Sequence, residues 1–275
     1  MFYCAVSNRL FVQLLDFTYG PTRDPADVTA SLKEMVECYN TSSAENAENA
    51  ENESAAVRTT SSGRRLVAVC SPLMRRVHEH VSHSGELCFI DSTGGMDRQD
   101  SRVFVLLTHS PAGALPLGLI ITESEEEQVI FEGLELLKTL LGPEAFYHRG
   151  NNGPAVFLTD DSTAERNALK TSFPRAERIL CTFHVLHALW RWLQANVTTQ
   201  QARASVLEPG VDAKTMARSD RATFCALVRD MLYAESDQCL ERLYTTALTS
   251  DAVKRFVYFF CFVYILCHII YCNLL

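Results

Sequence analysis

Two carboxylates stand at the ends of apolar, strand-like runs. Asp91 closes "LCFID" and Asp160 closes "VFLTD", 69 positions further on. Carboxylates held side by side repel each other unless a cation neutralises them, and a hard divalent ion with retained waters prefers such oxygen ligands. Placed at the ends of adjacent parallel strands, the pair would make a rigid metal-binding edge. The alternative for Asp91 is a turn-initiating acid ahead of Ser92-Thr93-Gly94-Gly95, a common use of Asp. Asp161 follows Asp160 and would face the other way, so it reads first as a helix-capping or dipole-stabilising acid and second as an outer carboxylate of the site. Ser162 and Glu165 have the spacing of a capping box, which fixes Asp160 between a strand end and a helix start. Cys181 and His184, three apart, share a helix face and could form a secondary metal site, although two ligands are too few for a closed zinc centre. A core thiol and a helix-start imidazole explain them equally well. His78, His80 and His83 form a looser cluster, with only His80 and His83 on one face, and read as a solvated helix end.

The segments that must position these residues have a clear rhythm. "RRLVAVC" is strand-like, and "SPLMRRVHEHVSH" opens with Ser71 as N-cap and Pro72 at the first helical position, predicting a helix to about His83. Three strands follow, "ELCFIDST", "SRVFVLLTH" and "LPLGLIIT", joined by short turns into an antiparallel meander. The stretch 125–142 carries Val129, Leu134, Leu137, Leu140 and Leu141 on one side and stops at Gly142-Pro143, marking a helix. Strand, helix, strand and helix then run from "PAVFLTDD" to "TFHVLHALWRWLQ". The order β-β-β-α-β-α-β-α, with right-handed crossovers, predicts a mixed α/β sheet of the ribonuclease-H-like type, in which the strand after the long helix lies parallel to the first strand of the meander. Residues 1–40 read as an N-terminal helical segment. Residues 41–63, with Ala-Glu-Asn three times in tandem, read as a low-complexity linker. The core is expected over 64–195, followed by a helical insertion over 196–250 with Ser219 and Ser236 near helix starts.

The combination of "FIDSTGGMDR", "LPLGLIITESE" and "FLTDDSTAERNALKTSFPRAERILCTFHVLHALWRWL" resembles the transposase domain of Mutator-like elements, the MULE transposase domain, over about residues 65 to 245. The most specific part is Asp160, Ala168-Leu169, Phe173-Pro174 and Cys181-Thr182-Phe183-His184. This resemblance implies a DDE-type enzyme, in which two Asp and one Glu hold two Mg²⁺ or Mn²⁺ ions for cleavage and transfer of DNA strands at transposon ends. It implies Asp91 and Asp160 as the first two acids and places the third beyond a helical insertion. There Glu208, Glu235 and Glu241 lie in contexts that assign none of them to the role. The expectation is therefore a transposase-derived DNA-processing domain, nuclear, incomplete and inactive by itself. The competing expectation is a domesticated, non-catalytic interaction protein.

Bulk properties narrow these readings. The net charge is −8, and residues 86 to 195 hold nine Lys/Arg against fifteen Asp/Glu, so no basic stripe marks a freestanding DNA-binding module. Ten cysteines without paired spacing argue for a reducing compartment. Sequons at Asn40, Asn52 and Asn196 carry little weight. No Cys/His zinc module accompanies the domain. From Phe256 to Leu275 no Asp, Glu, Lys or Arg occurs, and Lys254-Arg255 precede the run, which reads as the mispredicted end of a fragment or as a tail anchor in a membrane. Sequence alone leaves the oligomeric state unknown.

Overall fold

A computed structural model describes residues 25–45, 53–94, 101–194 and 218–249. The chain divides into two compact units, residues up to Arg178 and residues from Ile179 onward. The apolar tail 256–275, the segment 1–24 and Glu208 lie outside the described residues. Among the described residues no helix is long and apolar enough to cross a membrane.

The first unit is α/β. It opens with α1 (Pro25–Glu45) and β1 (Ala55–Thr59), followed by β2 (Arg65–Val69), α2 (Pro72–His80) and a short turn of helix α3 (His83–Glu86). Next come β3 (Leu87–Thr93), β4 (Arg102–Ser110), β5 (Gly113–Thr122), α4 (Glu127–Leu140) and the short α5 (Ala145–His148). The unit closes with β6 (Val156–Thr159), α6 (Thr163–Ser172) and β7 (Glu177–Leu180), the strand at which it gives way to the second unit. The seven strands form one mixed sheet in the order β1-β2-β5-β4-β3-β6-β7. β3, β4 and β5 are the expected meander, and β6 lies beside β3 and parallel to it. Pro111-Ala112 make the β4–β5 turn, and Gly113 takes φ +119°, a value that L side chains rarely adopt.

One sheet face carries Leu66, Ala68, Cys88, Ile90, Phe104, Leu106, Ile120 and Phe157 into a core shared with Val129, Ile130, Leu134 and Leu137 of α4 and with Ala168 and Leu169 of α6. Burial of an apolar side chain of this size is worth about 1.5–3 kcal/mol, so this face accounts for most of the unit's cohesion. Helix α4 approaches the sheet closely at two glycines. A Cβ on Gly133 would lie 2.6 Å from Cγ2 of Ile120, and one on Gly118 would lie 2.9 Å from a methyl of Leu137. Gly133→Ala is therefore expected to cost about 1–3 kcal/mol by forcing helix and sheet apart, which a lowered melting temperature would show.

Ser71 caps α2 as expected, its hydroxyl accepting the Met74 N–H at 3.2 Å. The helix stops at His80 rather than near His83, because half-buried Val81 turns extended and packs against the core before α3 begins. The three histidines consequently separate. His80 is exposed, His83 lies against the His109 ring with centroids 4.3 Å apart, and His78 is buried. Nδ1 of His78 accepts the Phe146 N–H at 3.2 Å, so Nε2 carries the proton and donates to the Leu117 carbonyl at 3.0 Å. This neutral imidazole ties α2 to β5 and to α5. In α5, Phe146, Tyr147 and His148 all have positive φ, a conformation costing a non-glycine residue about 1–2 kcal/mol. The fully buried Phe146 ring, edge-on to both His78 and Phe173, offsets that cost.

The stretch expected as a linker, 41–63, holds more structure than its composition suggests. Helix α1 runs on to Glu45, and Ala55–Thr59 is the outermost strand, paired only with β2. The Asn40 amide accounts for this: its Oδ1 accepts the N–H groups of Ser54 and Ala55, each at 2.9 Å, and its Nδ2 donates to the Ala55 carbonyl. A side chain so engaged is a poor glycan acceptor.

The second unit contains α7 (Thr182–Gln194), α8 (Arg218–Leu232) and α9 (Asp237–Leu248). Leu189 of α7 joins Phe224, Val228 and Met231 of α8 and Leu240 and Ala247 of α9 in a separate core. The helix expected to close the 64–195 core thus buries its apolar side against α8. Ser236 caps α9 through the Cys239 N–H, whereas Ser219 lies inside the first turn of α8.

Candidate carboxylate site at the strand ends

β3 and β6 pair as Leu87 with Val156, Cys88 with Phe157 and Phe89 with Leu158. Each pair is separated by the same 69 positions as Asp91 and Asp160, so the register carries the two acids to equivalent places on neighbouring strands. Such strands lie about 4.8 Å apart. Side chains alternate along a strand, and Cys88 and Ile90 point into the core, so Asp91 projects from the opposite face; Asp160 is the first residue past buried Thr159 at the end of β6. Asp91 is exposed, continues in β3 and is paired across to Val105 of β4, which makes it part of a strand rather than the opening of a turn. Asp160 is half-buried and held in place: its Oδ1 accepts the Ser162 N–H at 2.8 Å.

That hydrogen bond changes the helix start. Ser162 is the N-cap of α6, and its hydroxyl accepts the Glu165 N–H at 3.3 Å, which is half of a capping box. The other half would have the Glu165 carboxylate accept the Ser162 N–H, but Asp160 already holds that donor. Glu165 is instead folded under the helix, 1% exposed, with Oε1 buried and without a hydrogen-bond partner. Burial, and after it the charges of Asp160 and Asp91, push its carboxyl up to about 8, with the Asp160 backbone N–H offsetting part of the rise. At neutral pH it is mostly protonated.

The other expected site residues go elsewhere. Asp161 is exposed and sits 3.6 Å from the Arg166 guanidinium, and Ser162 rather than Asp161 caps α6. Cys181 and His184 belong to the second unit, at the start of α7, both half-buried, with the His184 ring edge-on to Phe183. Glu235 and Glu241 are exposed. Among the described residues no three of His, Cys, Asp and Glu stand in ready ligating geometry. The described cysteines are free thiols, and burial raises the pKa of Cys70 to about 11 and that of Cys88 further, which leaves both inert.

No protein-family model matches the chain, and no curated protein matches it. Glu165 is the residue whose capping-box spacing hid its burial. Its signal was present all the same, because Glu165, Ala168, Leu169 and Ser172 follow the i, i+3, i+4, i+7 spacing of the buried face of α6.

Proposed function

We propose that the first unit is a divalent-cation-dependent, DNA-processing domain of ribonuclease-H-like topology, derived from a transposase of the Mutator-like kind. The observation that carries this reading is the parallel pairing of β3 with β6, whose register, continued past Phe89 and Leu158, would bring Asp91 and Asp160 to equivalent places. The order β5-β4-β3-β6-β7 supports it, since a meander followed by crossover strands beside its first member is the arrangement expected of that fold. The β1–β2 hairpin is then an addition at the outer edge.

The residues fit a hard cation. Asp91, within β3, and Asp160, fixed just past the end of β6, offer two carboxylates at neighbouring parallel strands. When bound there, Mg²⁺ or Mn²⁺ supplies Lewis-acid activation of an attacking hydroxyl and stabilisation of the leaving oxygen at a phosphodiester. The protein's own part is to fix Asp160 through the Ser162 N–H, to hold Asp91 in the β3–β4 ladder and to present both to a DNA backbone. The cation also offsets the repulsion that this acidic surface would exert on phosphate. The nucleus is the proposed place of action.

A second reading is favoured by one observation, the lack of a ready-made ligand trio among the described residues. In it the fold is kept for protein interaction, without catalysis. Nicking of supercoiled plasmid by the full chain separates the two. Mn²⁺-dependent nicking that falls at least 100-fold in Asp91→Asn and in Asp160→Asn supports the cation-dependent enzyme. Absence of nicking by the wild-type chain, or equal nicking by the variants, supports the interaction protein.

A further inference from the structure

We infer that the groove between α7 and α8 binds unpaired bases of a DNA strand, an inference that rests on the proposed DNA-processing role. Both helices belong to the second unit. The groove has a volume of about 360 Å³, and Phe183, Leu186, His187 and Trp190 of α7 face Cys225 and Arg229 of α8 across it. Leu186 and Cys225 pack against the core of the unit and make the floor. Phe183 and Trp190 rise from it as walls, 57% and 49% exposed. Apolar side chains exposed one by one are ordinary on a protein surface, whereas two large aromatic ones on the same groove mark a place where something docks.

Three observations favour a nucleobase over a protein partner. Phe183, His187 and Trp190 recur at i, i+4 and i+7, which sets three flat rings in a row along one side of α7. The Phe183 and His187 rings are already stacked, 10° from parallel with centroids 5.8 Å apart, and a base adds one more plane to such a row. Size is the second observation. The volume stands near the lower end of the roughly 300–1,000 Å³ of ligand pockets, which is room for a base or two and not for a docked helix. Charge is the third. Among the described residues no acid lines the groove, while Arg229 stands at its rim and exposed Arg191 follows Trp190, in a chain of net charge −8. Asp230 Oδ1 accepts the Nε–H and an Nη2–H of Arg229 at 3.0 and 2.7 Å. This fixes the guanidinium plane and leaves Nη1 to meet a phosphate oxygen. Aromatic faces beside a cation are the parts of a single-strand platform. A duplex hides its base faces in its own stack, so the groove selects unpaired ones.

Fluorescence anisotropy of a short labelled oligothymidylate, titrated with the full chain in EDTA-containing buffer, tests the inference without engaging the cation site. Wild type is expected to bind the single strand in preference to a duplex of the same length. Its salt dependence should be shallow, because the groove meets only one or two phosphates. Phe183→Ala and Trp190→Ala are each expected to bind roughly 5- to 150-fold more weakly. Both side chains are exposed, so both variants should keep the native circular-dichroism spectrum. Trp190 and Trp192 are the two tryptophans of the chain, and quenching of their emission by the oligonucleotide should vanish in Phe183→Ala at concentrations that saturate wild type. Wild-type affinity in both variants, or equal affinity for the duplex, would overturn the inference and assign the groove to an apolar protein partner. Absence of binding by the folded wild-type chain would overturn it as well. Asp160-dependent plasmid nicking by that same preparation would then leave the cation-dependent role standing, and the lack of both activities would overturn both.

Discussion

Without divalent cations, the first unit is expected to be most stable at mildly acidic pH and to lose stability on the way to pH 8. Glu165 has its folded pKa raised from 4.5 to about 8. Between those values the folded state holds a proton that the unfolded state releases, so stability falls as pH rises, by roughly 5 kcal/mol once both limits are passed. Glu165→Gln keeps the shape and removes the titration. Thermal melts of the full chain in chelator-treated buffer should show wild type weakening from about pH 6.5 to 8 while the variant stays level, so that the variant is the more stable protein at pH 8. A wild-type curve that is flat over this range would mean that Glu165 is not held protonated. A buried acid that lowers stability at working pH is a typical cost of a functional site.

The opposite limb belongs to His78. Its folded pKa is lowered from 6.5 to about 4, chiefly by burial, with the Leu117 carbonyl opposing. Here the unfolded state binds the proton first. The stabilisation is complete above pH 6.5 and is lost as pH falls towards 4, by about 3 kcal/mol. Protonation would place a proton on Nδ1, where the Phe146 N–H now donates, and would release the left-handed turn of α5. Between pH 4.5 and 6.5 the two titrations have opposite slopes and nearly cancel, so stability is nearly level over that range. His78→Phe should turn this level range into a continued rise in stability as pH falls to 4.5, set by Glu165 alone, and should lower stability at neutral pH by about 2–4 kcal/mol, because it leaves the Phe146 N–H and the Leu117 carbonyl unpaired in the core. A variant curve that stays level between pH 6.5 and 4.5 would show that His78 is not the group opposing Glu165.

Much of this architecture was legible in the residues. Strand-length apolar runs, Ser71-Pro72 and Gly142-Pro143 mark the elements of the first unit, and Asp160 marks the end of β6, whereas β3 runs past Asp91 to Thr93. The register of β3 on β6 was not legible, because it depends on the crossover through α4, yet the separation of the two acids equals the register offset. The failures have physical causes. β1 was hidden because a short edge strand needs few apolar side chains, and its anchor, Asn40, lies outside it in sequence. The α5 turn contains no glycine at Phe146, Tyr147 or His148 to announce left-handed backbone; tertiary contacts of Phe146 hold it. Glu165 was assigned to capping because its spacing from Ser162 satisfies that motif, and only the competition from Asp160 for the Ser162 N–H displaces it. A helix of the type read in Thr182–Gln194 has an apolar side, but sequence does not say which neighbour receives it.

The pairing of Asp91 with Asp160 is tested most directly by anomalous scattering from crystals of the full chain grown with millimolar Mn²⁺. A manganese peak coordinated by both carboxylates at the ends of β3 and β6 is the expected result. Well-ordered Asp91 and Asp160 side chains with no manganese between them would contradict a cation site at this edge of the sheet, and with it a cation-dependent reaction there.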